Sequence, residues 1–190
     1  MEENTKISGF VLAGGKSSRM GTDKALLMIQ NEPMIQRMIS LINPFCHEVF
    51  ISGQNPEYSV FKVETIPDTY PGCGPIAGIY SSLNLSETEW NLFVSVDVPF
   101  VNEDLIRLLI ANAFSCDSVI PQHDYGVEPL VAMYNRSCLP VIEEMIISDN
   151  FKLQNLISAL DTKYLNCNDL IKKTPGLFLN INRMEDFLSI

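Results

Sequence analysis

The chain is predicted to be α/β, with a mostly parallel sheet flanked by helices. Three observations carry that expectation. Short apolar runs ending in glycine or aspartate alternate with stretches of helical periodicity along the 190 residues. No internal repeat, low-complexity tract or linker interrupts them, so residues 1–190 read as a single domain. An apolar fraction of 46% with 19% charge is ordinary for a globular chain able to bury a sizeable core without staples.

The elements follow in order. Ile7 to Leu12 is an apolar run with a glycine-rich stop, expected to be a buried strand. Pro33 suits the first turn of a helix whose apolar stripe is Met34, Ile35, Met38, Ile39 and Ile42. Glu48–Ile51 and Val63–Ile66 read as strands. Gly74-Pro75 opens a helix through Leu85, with Gly74 and Gly78 allowing close packing on the sheet. Leu92–Val96 is the most strand-like run, bounded by Asp97 and Pro99. Asn102 then offers a cap for a helix containing Leu105, Ile106, Leu108, Leu109 and Ile110. Val119-Ile120, Leu130–Tyr134 and Leu177–Ile181 are further strand candidates. Leu139–Ile147, Leu153–Leu160 and the segment after Asn182 read as helices. Met28, Met34, Met38, Met133 and Met145 read as core filling. The sum is a Rossmann-like, three-layer domain, in which ligands collect at the carboxyl ends of the strands.

Composition excludes several functions. A net charge of −10 disfavours nucleic acid and anionic membranes as partners. No segment approaches the roughly 18 apolar residues of a membrane span. The acidic start, Met1-Glu2-Glu3-Asn4, lacks the basic character of an export signal, which points to the cytoplasm. Cys46, Cys73, Cys116, Cys138 and Cys167 are odd in number and irregularly spaced, as expected of reduced thiols rather than a disulfide framework or metal site.

Against that acidic background Lys16, Arg19 and Lys24 fall within nine residues, with Asp23 the only acid among them. They belong to Leu12-Ala13-Gly14-Gly15-Lys16-Ser17-Ser18-Arg19-Met20-Gly21-Thr22-Asp23-Lys24. Paired glycines let the backbone turn and approach a ligand, and N–H groups in such a loop can face phosphate oxygens. Arginine adds a planar fork and lysine a mobile point charge. The string is neither a Walker A loop nor the GxGxxG fingerprint of a dinucleotide-binding dehydrogenase.

This string is similar to the signature loop of the MobA-type molybdenum cofactor guanylyltransferases, within the sugar-phosphate-like nucleotidyltransferases. The resemblance continues through Tyr70–Gly78, like the family's GPLAG segment, and Val94–Phe100, like its strand–Asp–x–Pro element. It extends to Glu128–Tyr134 and ends at Asn180-Ile181-Asn182, like the closing NxN. It implies transfer of GMP from GTP to the terminal phosphate of the molybdenum cofactor (molybdopterin), with Mg²⁺. It implies that Leu12, Ala13, Gly14 and Gly15 hold the nucleotide, the first three contacting guanine through backbone. It also implies that Asp68 lies near the nucleotide and that Arg19 and Lys24 take the triphosphate. Asp97, ending an apolar strand, suits a magnesium ion, which commonly takes one or two carboxylates; the plain alternative is a helix-leading cap.

Asn180 and Asn182 are candidates for the second substrate, or else a strand-end turn. Glu128 stays unassigned, and His47 and His123 read as surface or structural. Many relatives carry asparagine where this chain has Ser52, which leaves base preference open at that position. Other readings share the loop: a cytidylyltransferase, an enzyme for sugar or polyol phosphates, or a nucleotide-binding regulator without catalysis. Cofactor-synthesis and molybdoenzyme acceptor proteins are partners the resemblance implies.

Overall fold

The computed structural model of the protein describes residues 6–14 and 23–181. Along the chain these form β1 (Ile7–Leu12), β2 (Met28–Ile29), β3 (Glu32–Pro33), α1 (Met34–Ile42), β4 (Glu48–Ser52), β5 (Glu64–Ile66), α2 (Pro75–Leu85), β6 (Trp90–Ser95) and α3 (Glu103–Ala111). There follow β7 (Ser118–His123), β8 (Gly126–Val127), β9 (Ala132–Asn135), α4 (Leu139–Ile147), α5 (Leu153–Ala159), β10 (Thr162–Asn166) and α6 (Asn168–Lys173). The main sheet has the order β10-β7-β9-β6-β1-β4-β5, with β8 paired to β7. All neighbours are parallel except at β9 and β8.

β1 explains the layering. Its residues are buried throughout, as a strand covered on both faces must be. Ile7 and Val11 point into a core shared with Met38, Ile42, Leu105 and Leu109, on the side of α1 and α3. Phe10 and Leu12 point the other way, with Ile76, Ile79, Leu83 and Ile142, on the side of α2 and α4. Phe10 stacks between Phe50 of β4 and Phe93 of β6, at centroid distances of 5.4 and 5.1 Å.

The register positions the site. Leu12 lies level with Ser52 of β4 and Ser95 of β6, and Ser52 is level with Ile66 of β5. Four neighbouring parallel strands therefore end in a row. The segments that follow them, at Ala13, Gly53, Asp68 and Asp97, emerge on one edge. Chain direction across the sheet reverses here: β4 lies on one side of β1 and β6 on the other. That is where open α/β sheets leave a crevice.

Local rules account for the helix starts. Asn102 caps α3 by accepting a hydrogen bond from the Leu105 N–H at 3.1 Å, so Asp97 is not that cap. Gly74 precedes Pro75 at φ 75°, a conformation that only glycine adopts without strain. A side chain there would meet nothing within 4 Å, so Gly74 serves the turn and not close packing. Pro33 sits just before α1 and pairs in the β2–β3 hairpin instead of occupying the helix's first turn. Met28, in the same hairpin, is 52% exposed and fills no core, unlike Met34, Met38, Met133 and Met145.

The expected strand at Leu177–Ile181 is a turn and an extended stretch. Gly176 at φ 87° reverses the backbone, and Leu177 and Leu179 donate to the Thr174 and Gly176 carbonyls. The helix expected after Asn182 lies outside the described residues. All five cysteines are free thiols, as expected. No described helix is long and apolar enough to cross a membrane.

Candidate active site

The centre of the edge is an ion pair. Lys24, in the 3₁₀ turn Lys24–Leu26, reaches across to Asp97 after β6, with Nζ 2.8 Å from Oδ1. The lysine side chain is 10% exposed, while the carboxylate stays 34% exposed and faces outward. Both ends of Asp97's backbone are fixed. Its N–H donates to the Ser95 hydroxyl at 3.2 Å, and its carbonyl accepts from Ile181 N–H at 2.9 Å. The second bond ties the carboxyl-terminal segment holding Asn180 to the end of β6. Asn180 is exposed beside it, and Asn182 lies outside the described residues.

Beside the pair the strand ends are joined through backbone. The Leu12 carbonyl accepts from Val96 N–H at 3.2 Å, and Ala13 N–H donates to Ser52 O at 2.9 Å. Gly53 N–H donates to Ile66 O at 3.0 Å, continuing the ladder beyond the strands. A Cβ on Gly53 would stand 3.3 Å from both Ala13 C and Gly14 N, so the approach of these two segments requires glycine. Gly78 of α2 packs against these strand ends. A Cβ there would stand 2.9 Å from Ser52 Oγ and 3.5 Å from Leu12 Cδ2, which bears out close packing at Gly78. The same point is 3.8 Å from Asp68 Oδ1, so Leu12, Ser52 and Asp68 converge on it. Asp68 is exposed as a residue, yet burial around its carboxyl pushes the pKa above the ordinary carboxylate value.

Asp23 organises the other flank. One carboxylate oxygen accepts from Ala25 N–H at 3.0 Å, capping the turn that carries Lys24. The other accepts from the Tyr58 hydroxyl at 2.8 Å and from the Asn55 amide at 2.5 Å. Tyr58 is 1% exposed, and its hydroxyl also lies 3.2 Å from Ala13 O. Burial first, then the bond to Asp23, raises its pKa, so the phenol keeps its proton as a donor. Neither Tyr58 nor Asn55 stands in a sequence motif, and no sequence signal singled them out.

The structure therefore brings together Leu12, Ala13, Gly14, Lys24, Asp68 and Asp97 on one edge. Gly15 and Arg19 lie outside the described residues, as does Lys16. Glu128 sits further along the same edge, 3.0 Å from His123 Nε2 at the end of β7. His123 is held on three sides. Its Nδ1 accepts from Tyr125 N–H, which assigns the proton to Nε2, and its ring stacks on Phe178 at 5.0 Å. This is the structural role expected of it.

Among the described residues no three His, Cys, Asp or Glu side chains cluster as a metal cage. A single outward carboxylate fits a magnesium ion, which completes its octahedron with phosphate and water oxygens. It does not fit zinc, which takes three or four nitrogen, sulfur or carboxylate ligands.

A mostly parallel α/β sheet with close-packed glycines and a lysine–aspartate pair at its switch point is the frame of a nucleotidyltransferase. Residues 9–163 match the MobA-like NTP transferase domain, and the chain belongs to that family. The probable molybdenum cofactor guanylyltransferase of Flavobacterium johnsoniae is 32% identical over 182 residues, 95% of this chain and 88% of that one. The protein of the same name from Clostridium perfringens is 33% identical over 187 residues, covering 96% and 94%. Among solved structures, molybdopterin-guanine dinucleotide biosynthesis protein A of Archaeoglobus fulgidus superposes with a TM-score of 0.81 at 28% identity, over 96% of this chain and 95% of that one.

Proposed function

We propose that this nucleotidyltransferase moves GMP from GTP to the terminal phosphate of the molybdenum cofactor, releasing pyrophosphate. The observation that carries the reading is the Lys24–Asp97 contact, which joins the turn after the first loop to the end of β6 beside the backbone-joined strand ends. The relatives' names supply the acceptor. An oxygen of the cofactor's terminal phosphate attacks the α-phosphorus of GTP; the bond from that phosphorus to the oxygen bridging to the β-phosphate breaks, and its electrons leave with pyrophosphate. The nucleophile is already an anion, so no general base is needed, in keeping with His123's structural engagement.

The chain's own part is positioning and charge. The backbone at Leu12, Ala13 and Gly14 lines the base edge, with the Leu12 side chain turned away into the core beside Gly78. The Asp68 carboxylate accepts from the adjacent N–H donors of guanine, a pair that cytosine does not present. Lys24 swings its ammonium from Asp97 toward the phosphates and balances charge gathering on the leaving pyrophosphate, a role Arg19 shares. Asn180 and Asn182 orient the acceptor.

Asp97 would hold Mg²⁺, which supplies charge neutralisation at the α-phosphate when bound. Because Lys24 already balances Asp97, a divalent cation gains little from this carboxylate alone and is expected to bind together with the anionic triphosphate. In this reading residues 1–190 work as one catalytic unit in the cytoplasm, receiving cofactor from synthesis proteins and passing it to molybdoenzymes.

The test offers purified protein GTP and CTP separately, with Mg²⁺ and molybdopterin, and identifies products by mass. A magnesium-dependent GMP adduct is the expected result. A CMP adduct keeps the chemistry and overturns the base assignment. No adduct from folded protein overturns the acceptor.

A further inference from the structure

The crevice is crossed by a chain of contacts that begins far from any motif. Tyr58 lies in the 3₁₀ segment Pro56–Phe61, in the connection between β4 and β5. Asn55 caps that segment by accepting from Glu57 N–H at 3.0 Å, and turns its amide toward Asp23. The Tyr58 ring packs against the backbone at Gly53, its Cε2 3.3 Å from where a Cβ would stand. A side chain at residue 53 would crowd the ring, so glycine there leaves the space that the ring borders. Its hydroxyl meets the Asp23 carboxylate at 2.8 Å and the Ala13 carbonyl at 3.2 Å, so it joins the end of β1 to the start of the Lys24 turn.

We propose that Tyr58 is a positioning residue: through Asp23 it fixes the turn that aims Lys24 at Asp97. The argument is one of connected geometry. Asp23 is the cap of the three-residue turn that carries Lys24, and its carboxylate receives donors from Tyr58, Asn55 and Ala25. A three-residue turn has little stability of its own, so its place is set by its anchors: Ala25 buried in the core on one side and the groups that hold the Asp23 cap on the other. Asn55 and Tyr58 both come from the short Asn55-capped segment, one element acting at two points. A half-buried carboxylate that loses a donor must turn to water or another partner, and the cap it forms loosens with it. Lys24, with a side chain only 10% exposed, then loses the site that holds its ammonium 2.8 Å from Asp97.

This inference rests on the proposed GTP reaction for its catalytic consequence but not for its geometry, and the experiment separates the two. Tyr58→Phe removes the hydroxyl and keeps the ring. In the protein alone, a small amine-reactive reagent is applied and labelling of Lys24 is followed by mass, with exposed Lys172 as internal reference. The expected result is at least a fivefold faster labelling of Lys24 relative to Lys172. With GTP, Mg²⁺ and molybdopterin, kcat is expected to fall at least tenfold while KM for the acceptor stays within twofold. Adding Tyr58→Phe to Lys24→Met is expected to cause no further loss, because both act through the same ammonium. Lys24 labelling within twofold of the parent protein overturns the proposal, and so do losses that multiply in the double variant. Should Tyr58→Phe not fold, Asp23→Asn, which keeps the shape of the cap and weakens its bonds, carries the same comparison. If Lys24 labelling responds and no nucleotide adduct forms with the parent protein, the reaction assignment falls and the positioning role stands.

Discussion

β1 and β6 lie side by side, and a polar cluster sits at each end of the pair. At the amino end, Ser8, Ser86, Thr88 and Asn91 are all buried. They bond to one another and to backbone. Asn91 accepts from the Ser86 hydroxyl and donates to the Thr88 and Tyr134 carbonyls, and Ser8 N–H donates to Thr88 Oγ1. At the carboxyl end, Asp23, Lys24 and Asp97 carry charge, and the Asp97 side chain is 34% exposed. The first cluster is built of neutral, buried groups that bond within the protein, its one charged contact being the Ser8 hydroxyl donating to the Glu48 carboxylate at the start of β4 at 3.1 Å. The second is ionic and open on one side, so its bonds can be traded for those of a ligand. The contrast teaches that polarity near a strand end does not itself mark a site. Charge whose partner can be exchanged does.

That contrast can be broken by substitution, starting with the open cluster. Asp97→Ala is expected to lower turnover by about 10³-fold or more while the thermal midpoint stays within a few degrees, because its side chain supports ligand and not core. Near-normal turnover would remove Asp97 from the chemistry. Lys24→Met should cost about 10²-fold in kcat, comparable to losing one preorganised charge donor. A normal kcat would leave the lysine as a structural partner of Asp97 only.

The closed cluster should behave in the opposite sense. Asn91→Ala removes the acceptor of the Ser86 hydroxyl and the donor to three carbonyls, those of Thr88, Glu89 and Tyr134, so a loss of about 2–3 kcal/mol is expected, with activity per folded molecule unchanged. At roughly 2–4 °C per kcal/mol this is readable in a melting curve. A variant as stable as the parent would show that the cluster is dispensable.

The smallest effect sharpens the contrast through pH. The folded-state pKa of Asp68 is raised by burial, so the fold disfavours its carboxylate form. Its contribution to stability is present in full below the unfolded carboxylate pKa and is lost as pH rises through the raised folded value. Asp68→Asn stays neutral throughout. It should therefore melt slightly higher than the parent at pH 7, with the gain gone below about pH 4. A difference that does not change with pH would contradict the assignment.

Much of this arrangement was legible in the sequence because its signals are local. The buried run Ile7–Leu12, the Gly74-Pro75 start of α2 and the Asn102 cap each act within a few residues, and all form as read. Lys24 and Asp97 drew attention as parts of short local strings and Asp68 through the resemblance, and the fold sets all three along one edge of the sheet. Other features depend on distant packing. β10 was missed because it is an edge strand that buries only Leu165 of its five residues, which leaves no apolar period to read. Leu177–Ile181 misled because its apolar residues serve different neighbours. Leu177 and Ile181 are buried, Phe178 stacks on His123, and Gly176 turns the chain. Tyr58 was invisible because its hydroxyl bonds span 35 and 45 residues of sequence, and a buried tyrosine in a loop resembles core.

The place of β1 also governs how the chain is made. Its partners are β4 and β6, so the second arrives only when residue 95 has been synthesised. At about 5–20 residues per second that interval is roughly 4 to 16 s. Throughout it, one edge of an apolar strand waits unpaired on a nascent polypeptide, the condition under which strands pair with the wrong neighbour. Ser8 and Gly9 then acquire a second meaning. A hydroxyl and a missing side chain interrupt what would otherwise be six consecutive apolar residues, as gatekeeper positions do, and in the finished sheet Ser8 bonds to Thr88 while Gly9 leaves room for Cys46 and Ile42.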